Sequence, residues 1–189
     1  MKFSRESKKR SRGNAKAFLE FVPLKKWRKT MKDKINAYVV SILIAMGVGA
    51  LAAYFTSAGM RTLYAEIQTP PLAPSAVIFP IVWTALYFLM GLSAAMIWAE
   101  KSPEKAAIRR RALIIYAASL AVNFSWCFVF FSFRAFGVSF AWLLVLLALV
   151  LKTICEYRKI SPRAAYWQIP YAVWLCFAGY LTCSIWFLN

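Results

Sequence analysis

The chain has 189 residues, one domain's worth of material, and 61% of them are hydrophobic, against roughly 45–50% in ordinary globular proteins, with only 16% charged and 17% aromatic. That balance excludes a water-soluble enzyme. The net charge of +17 excludes less than its placement does: 13 of the 24 Lys and Arg fall in residues 1–36 and the rest form short clusters between apolar runs, the layout of a membrane protein's positive side, so nucleic acid is not an expected partner.

In chain order, the basic tail 1–36 comes first. It reads as disordered up to Asn14; Leu24, Trp27, Met31 and Ile35 then recur at helical spacing among lysines, as in a helix lying on anionic lipid. No charged residue stands between Lys34 and Arg61, and a first span fits in about 37–58. A connection with Pro70, Pro71 and Pro74 follows, stiff enough to act as a lid, and leads into a second span at about 77–99. A third runs about 112–133, a fourth about 138–157 with Lys152 and Glu156 snorkelling near its end, and a fifth about 166–188. Pro80 and Pro170 are read as first-turn prolines of the second and fifth spans. About 20 apolar residues cross a bilayer as a helix, and backbone groups in hydrocarbon have no other partner. The expected fold is therefore an all-α integral membrane protein, a bundle of five transmembrane helices over residues 37–189.

Lys and Arg also set the expected orientation. The tail, the second connection and the fourth carry 13, five and four of them, while the opposite side has only Arg61 and Arg134. This places the N-terminus inside and the C-terminus outside, with the bacterial plasma membrane as the expected location.

The chain has no His, so the commonest general base and neutral metal ligand are missing, and Cys127, Cys155, Cys176 and Cys183 show no ligand spacing and read as packing residues. No resident cofactor or metal is expected. The spans lack mid-membrane acids and bases, which argues against an ion-coupled transporter. They carry aromatic faces instead: Phe79, Trp83, Tyr87 and Met90; Asn123, Trp126 and Phe130; and Tyr171, Trp174, Ala178 and Leu181. Asn123 needs a partner, either another helix or a ligand. With small residues beside large rings, these faces suit a cavity for a flat apolar molecule.

Three ordered strings carry a resemblance. They are P-x-x-x-P-x-x-x-x-F-P-x-V-W-T-x-L-Y-x-x-M-G from Pro70 to Gly91; Asn123-x-x-Trp126 with Phe130-Phe131; and Pro170-Tyr171-x-x-Trp174-x-x-Phe177-Ala178-x-Tyr180-Leu181, closing at Asn189. Together they resemble the tryptophan-rich sensory protein family, also called translocator proteins or peripheral-type benzodiazepine receptors, over residues 37–189. The resemblance implies a five-helix bundle that forms homodimers and binds protoporphyrin IX or related tetrapyrroles in a pocket lidded by the connection between spans 1 and 2. Carried over by motif, the ligand-binding residues are Tyr64, Trp83, Tyr87, Asn123, Trp126, Trp174 and Ala178. Trp83 and Trp174 would sandwich the ligand, Asn123 would give a directional hydrogen bond, Tyr64 would close the lid and Arg61 would pair with a propionate. Leu63, Leu72 and Ser75 stand where the family often has Trp, Trp and Pro, which makes the lid less aromatic. No Lys or Arg follows Tyr180, so the sterol motif of animal members is not expected here.

The function implied is a membrane receptor, sensor or carrier for porphyrin-like ligands. The alternatives are a light- and oxygen-dependent porphyrin-degrading enzyme, in which Trp83 and Trp174 would be the catalytic pair, and a small-molecule transporter.

Overall fold

The computed structural model describes residues 24–75 and 77–189, apart from the side chains of residues 24–30, Arg61, Tyr64 and Ala65. The expectation of disorder up to Asn14 therefore lies outside the described residues. Two compact units are distinguished, Met1–Asn36 and Ala37–Asn189.

All regular structure among the described residues is helical. Helix α1 is Leu24–Glu66, α2 Ile78–Trp98, α3 Ala106–Cys127, α4 Phe136–Ile160 and α5 Pro162–Leu188. Five stretches of these helices are long and apolar enough to span a membrane. The protein is thus an all-α, multi-pass membrane protein, as its composition requires.

Among the described residues α1 begins at Leu24, and residues 24–46 contain neither Gly nor Pro to interrupt it. One boundary differs from expectation for a local reason. Pro170 is not a first-turn proline. Helix α5 begins at Pro162, where the Ser161 side chain caps the Ala164 amide at 3.4 Å, so Pro170 lies in the helix interior.

The core of unit Ala37–Asn189 sits where α2, α3, α4 and α5 meet, around Met90, Ile97, Leu146, Val150, Tyr157, Tyr171 and Leu175. Sparse polar side chains tie the helices together. Ser93 donates to the Ala164 carbonyl at 2.7 Å, and the Trp126 indole to the Ser139 carbonyl at 3.0 Å. The Trp142 indole donates to Ser125 Oγ at 3.0 Å. Such bonds matter in lipid because there is no hydrophobic force between apolar helices, and association rests on close packing and occasional hydrogen bonds.

Helix α1 shows the packing limit of this rule. Its buried stripe is made of small residues, with Ala37, Ser41, Ala45, Ala52 and Thr56 inward, while Leu43, Ile44, Leu51, Tyr54 and Phe55 face outward. At three glycines in the contacts of α1 the approach is close: on Gly59 of α1 a Cβ would lie 2.7 Å from the Phe131 carbonyl oxygen. A Cβ on Gly91 of α2 would lie 2.6 Å from Ile42 Cα, and one on Gly49 of α1 would lie 2.4 Å from the Tyr87 ring.

Gly91→Ala should force α1 and α2 apart, because the clashing atom is backbone and cannot swing away. We expect a loss of about 1–3 kcal/mol, read as a lower thermal midpoint by circular dichroism in detergent. An unchanged midpoint would show that the α1–α2 seam is looser than this geometry.

Candidate functional site

Helices α1, α2 and the end of α3 enclose an aromatic cavity of about 120 Å³. Gly49, Ala52, Ala53, Thr56 and Met60 form its α1 wall, Phe79, Pro80, Trp83 and Tyr87 its α2 wall, and Trp126, Cys127 and Phe131 close the far side. A second lobe of about 40 Å³ shares Phe79, Trp83, Trp126 and Phe131 and adds Phe130, Trp174, Ala178, Leu181, Thr182 and Ile185. A wider groove of about 420 Å³ between α4 and α5 holds none of the motif residues except Gly179's neighbour Tyr180 and is lined by leucines and the rings of Phe140 and Phe187.

A widened turn shapes the far wall. Helix α3 ends in a π-helical turn, Phe128–Ser132, closed by the Phe133 amide donating to the Phe128 carbonyl at 3.0 Å. The extra residue in the turn brings both Phe130 and Phe131 onto Trp126. Phe130 stacks on it, with centroids 5.1 Å apart and planes 16° apart, and Phe131 meets it edge-on at 6.1 Å.

Beneath the cavity, one amide joins three helices. The Tyr87 hydroxyl of α2 donates to Asn123 Oδ1 at 2.8 Å, and Asn123 Nδ2 donates to the Tyr171 hydroxyl of α5. Asn123 is fully buried. Sequence alone left its partner open between helix and ligand. In the fold both ends of the amide are engaged by helices: Oδ1 accepts from Tyr87, and Nδ2 gives one of its two N–H donors to Tyr171.

The expected sandwich is also different. Trp83 and Trp174 do approach each other, but at 6.4 Å between centroids and 85° between planes. This edge-to-face contact, favoured by the ring quadrupoles, leaves no parallel slot between the two indoles. Tyr171 meets Trp83 edge-on as well, at 6.2 Å. The Trp174 indole N–H is buried without a partner, although its ring lines the smaller lobe.

Of the residues expected at the site, Trp83, Tyr87, Trp126, Trp174 and Ala178 line one or both lobes. Asn123 lies below. The side chains of Tyr64 and Arg61 lie outside the described residues. Sequence reasoning missed the whole α1 wall, whose signal was only a run of small residues at spacings of three and four. Leu63, read as a lid departure, is instead fully buried against Trp126, Phe130 and Ala178 in the local apolar cluster.

The end of α1 and the Pro-rich connection that follows it are each tied to another segment. The Gln68 amide donates to Asn189 Oδ1 at 2.9 Å, and Asn189 Nδ2 returns a bond to the Gln68 carbonyl at 3.1 Å. Arg134, held at φ 53°, donates to the Glu66 carboxylate and to Thr62 Oγ1 at 3.4 Å. The hydrogen bond from Arg134, and then its charge, hold the Glu66 carboxyl below its ordinary value of 4.5.

Five helices long and apolar enough to cross a membrane, four of which contribute walls to a tryptophan-lined, uncharged cavity, define a multi-pass membrane protein. The comparisons with known proteins make the assignment specific. Residues 40–187 match the TspO/MBR family, and the chain belongs to it. It is 33% identical to the translocator protein of Bos taurus over 155 residues, which is 80% of this chain and 89% of the relative. It is 28% identical to the tryptophan-rich protein TspO of Archaeoglobus fulgidus over 151 residues, 80% and 95% of the two chains. With protein CrtK of Rhodobacter capsulatus the identity is 26% over 155 residues, covering 82% and 94%.

Asn123→Leu should strand two tyrosine hydroxyls and cost about 1–2 kcal/mol of stability in detergent. Adding Tyr87→Phe to it should cost less than the sum of the two single changes, since they share one bond. Strict additivity in that cycle would remove Asn123 as the common partner.

The Glu66–Arg134 tie should respond to acid. Because the folded-state carboxyl is depressed, the tie contributes fully at and above about pH 5 and is lost as pH falls below the ordinary Glu range. Hydrogen exchange at Ile67 should accelerate there, and Glu66→Gln should abolish that acid step. An acid step that survives in the variant would assign it to another group.

Proposed function

We propose that this protein is a membrane receptor or sensor that takes a flat, largely apolar ligand of the porphyrin type into the aromatic cavity, with its N-terminus inside and as a homodimer. The observation that carries this reading is the convergence of Trp83, Trp126 and Trp174 from three helices on one uncharged, apolar space. Indole faces offer stacking surface to a conjugated ring, and the small-residue wall of α1 leaves room beside them.

The cavity volume adds a condition. Pockets that enclose drug-sized ligands measure roughly 300–1,000 Å³, and the larger lobe is about 120 Å³. A macrocycle therefore enters only if the two lobes merge, by rotation of the Trp83 indole or by outward movement of α1 and the Pro-rich connection. The narrow small-residue stripe that holds α1 makes this the side of the cavity that yields most easily. The Trp174 N–H, buried without a partner beside the smaller lobe, is a directional donor that fits a carbonyl or pyrrolenine-nitrogen acceptor.

The test is a titration of the purified full chain in detergent with protoporphyrin IX in the dark, followed by tryptophan fluorescence. Saturable quenching is expected, and Trp83→Phe combined with Trp174→Phe should weaken affinity about tenfold. Unchanged affinity in that variant would remove the cavity assignment. The same samples are then illuminated: protein-dependent loss of the porphyrin absorption bands would transfer the reading to a porphyrin-degrading enzyme.

A further inference from the structure

Away from the cavity, at the Lys/Arg-rich end of the bundle, one carboxylate gathers three cations. Glu156, in the last turn of α4, has a side chain only 1% exposed, yet Arg111 Nη2 of α3 lies 2.6 Å from its Oε2. Lys159 Nζ is 3.1 Å from Oε1 and Lys152 Nζ 3.8 Å from the same oxygen. Arg111 and Lys159 already satisfy both oxygens. Lys152 is beyond hydrogen-bond distance, so the buried charge does not require it.

The balance of the cluster is one negative charge against three positive. All three cationic side chains are half or more exposed, at 56%, 60% and 50% for Arg111, Lys152 and Lys159. The carboxylate therefore fixes the heads of the cations from below, and their remaining N–H donors face outward with two charges unmatched. This preorganises a small anion site, in which long side chains have already been ordered by an internal partner.

Depth and flanks identify the anion. Arg111 is five residues into α3 and Lys152 eight from the end of α4, about 8 and 12 Å along the helices at 1.5 Å per residue. Lys159 is one residue from the end of α4, so the cluster covers about the last 12 Å of these helix ends, the part that meets head groups when the helices cross a bilayer. Moving from the cations toward the membrane centre, the same helix faces continue with exposed apolar residues: Ile114 at i+3 from Arg111, and Ala148 and Val145 at i−4 and i−7 from Lys152. A charged clamp above a continuous apolar track matches a phosphate carrying acyl chains.

We propose that Arg111, Lys152 and Lys159, held by Glu156, form a binding site for the phosphate of an anionic phospholipid, whose acyl chain lies along the outer faces of α3 and α4. Bound there, the lipid would staple the start of α3 to the end of α4.

The experiment uses the full chain in detergent, with palmitoyl-oleoyl phosphatidylglycerol or phosphatidylcholine added, and native mass spectrometry to count retained lipid. Saturable retention of phosphatidylglycerol over phosphatidylcholine is expected. Lys152→Gln with Lys159→Gln should weaken it roughly tenfold or more, since each cation near a lipid surface is worth about a fivefold factor. Arg158→Gln with Arg163→Gln removes the same charge from exposed positions at the same end of the bundle and should change retention less than twofold. Equal losses in the two double variants would mean a diffuse positive field and overturn the site. Displacement of the lipid by millimolar inorganic phosphate would assign the cluster to a soluble anion and overturn it too. A spin-labelled phosphatidylglycerol in vesicles with the unmodified protein gives a readout independent of the variants: the absence of a motionally restricted fraction beyond that of phosphatidylcholine refutes the proposal.

Discussion

The fold of this protein depends on a single amide placed where there is no water. Asn123 sits fully buried in α3 and is bonded on one side to Tyr87 of α2 and on the other to Tyr171 of α5. In hydrocarbon the apolar faces of three helices have little reason to choose one rotation over another, because lipid tails solvate them as well as a neighbour does. A polar group that must find its partners does choose. Fixing Tyr87 and Tyr171 around Asn123 also fixes the next turn of each helix, and so brings Trp83, Trp126 and Trp174 together one layer above. The cavity follows from the polar pin below it.

The two sides of that cavity are built differently. On the α2, α3 and α5 side, rings lock one another edge-to-face and the π-helical turn adds Phe130 and Phe131 to the wall. On the α1 side the wall is Gly49, Ala52, Ala53 and Thr56, which touch closely but interlock little. Small-to-small packing gives close approach without deep knobs, so this wall can separate with few rotamer changes. The connection that follows α1 is fastened by the Gln68–Asn189 amide pair, and the end of α1 by Arg134 on Glu66. The cavity thus has one half of interlocked rings and one half of small residues.

Charge is kept at the ends for the same dielectric reason. The three cations around Glu156 and the Arg134–Glu66 pair both lie where helices leave the membrane. Between them the described cavity walls are uncharged: they present ring faces and the buried, unpartnered indole N–H of Trp174.

By itself the sequence determined the class of fold. Charge-free stretches long enough to cross a bilayer admit only helices, and the motifs from Pro70 to Gly91, around Asn123, and from Pro170 to Leu181 named three of the four helices that line the cavity. It marked Trp83, Tyr87, Trp126, Trp174 and Ala178 because large rings and a lone amide stand out in an apolar run. What only the tertiary structure decided is how those groups meet. The edge-to-face geometry of Trp83 and Trp174, the engagement of Asn123 by two tyrosines, the burial of Leu63 and the α1 wall of small residues all depend on helix rotation and on the distance between axes. Periodicity says which residues share a face. Which faces then touch is set by glycine contacts and buried hydrogen bonds between segments far apart in the chain.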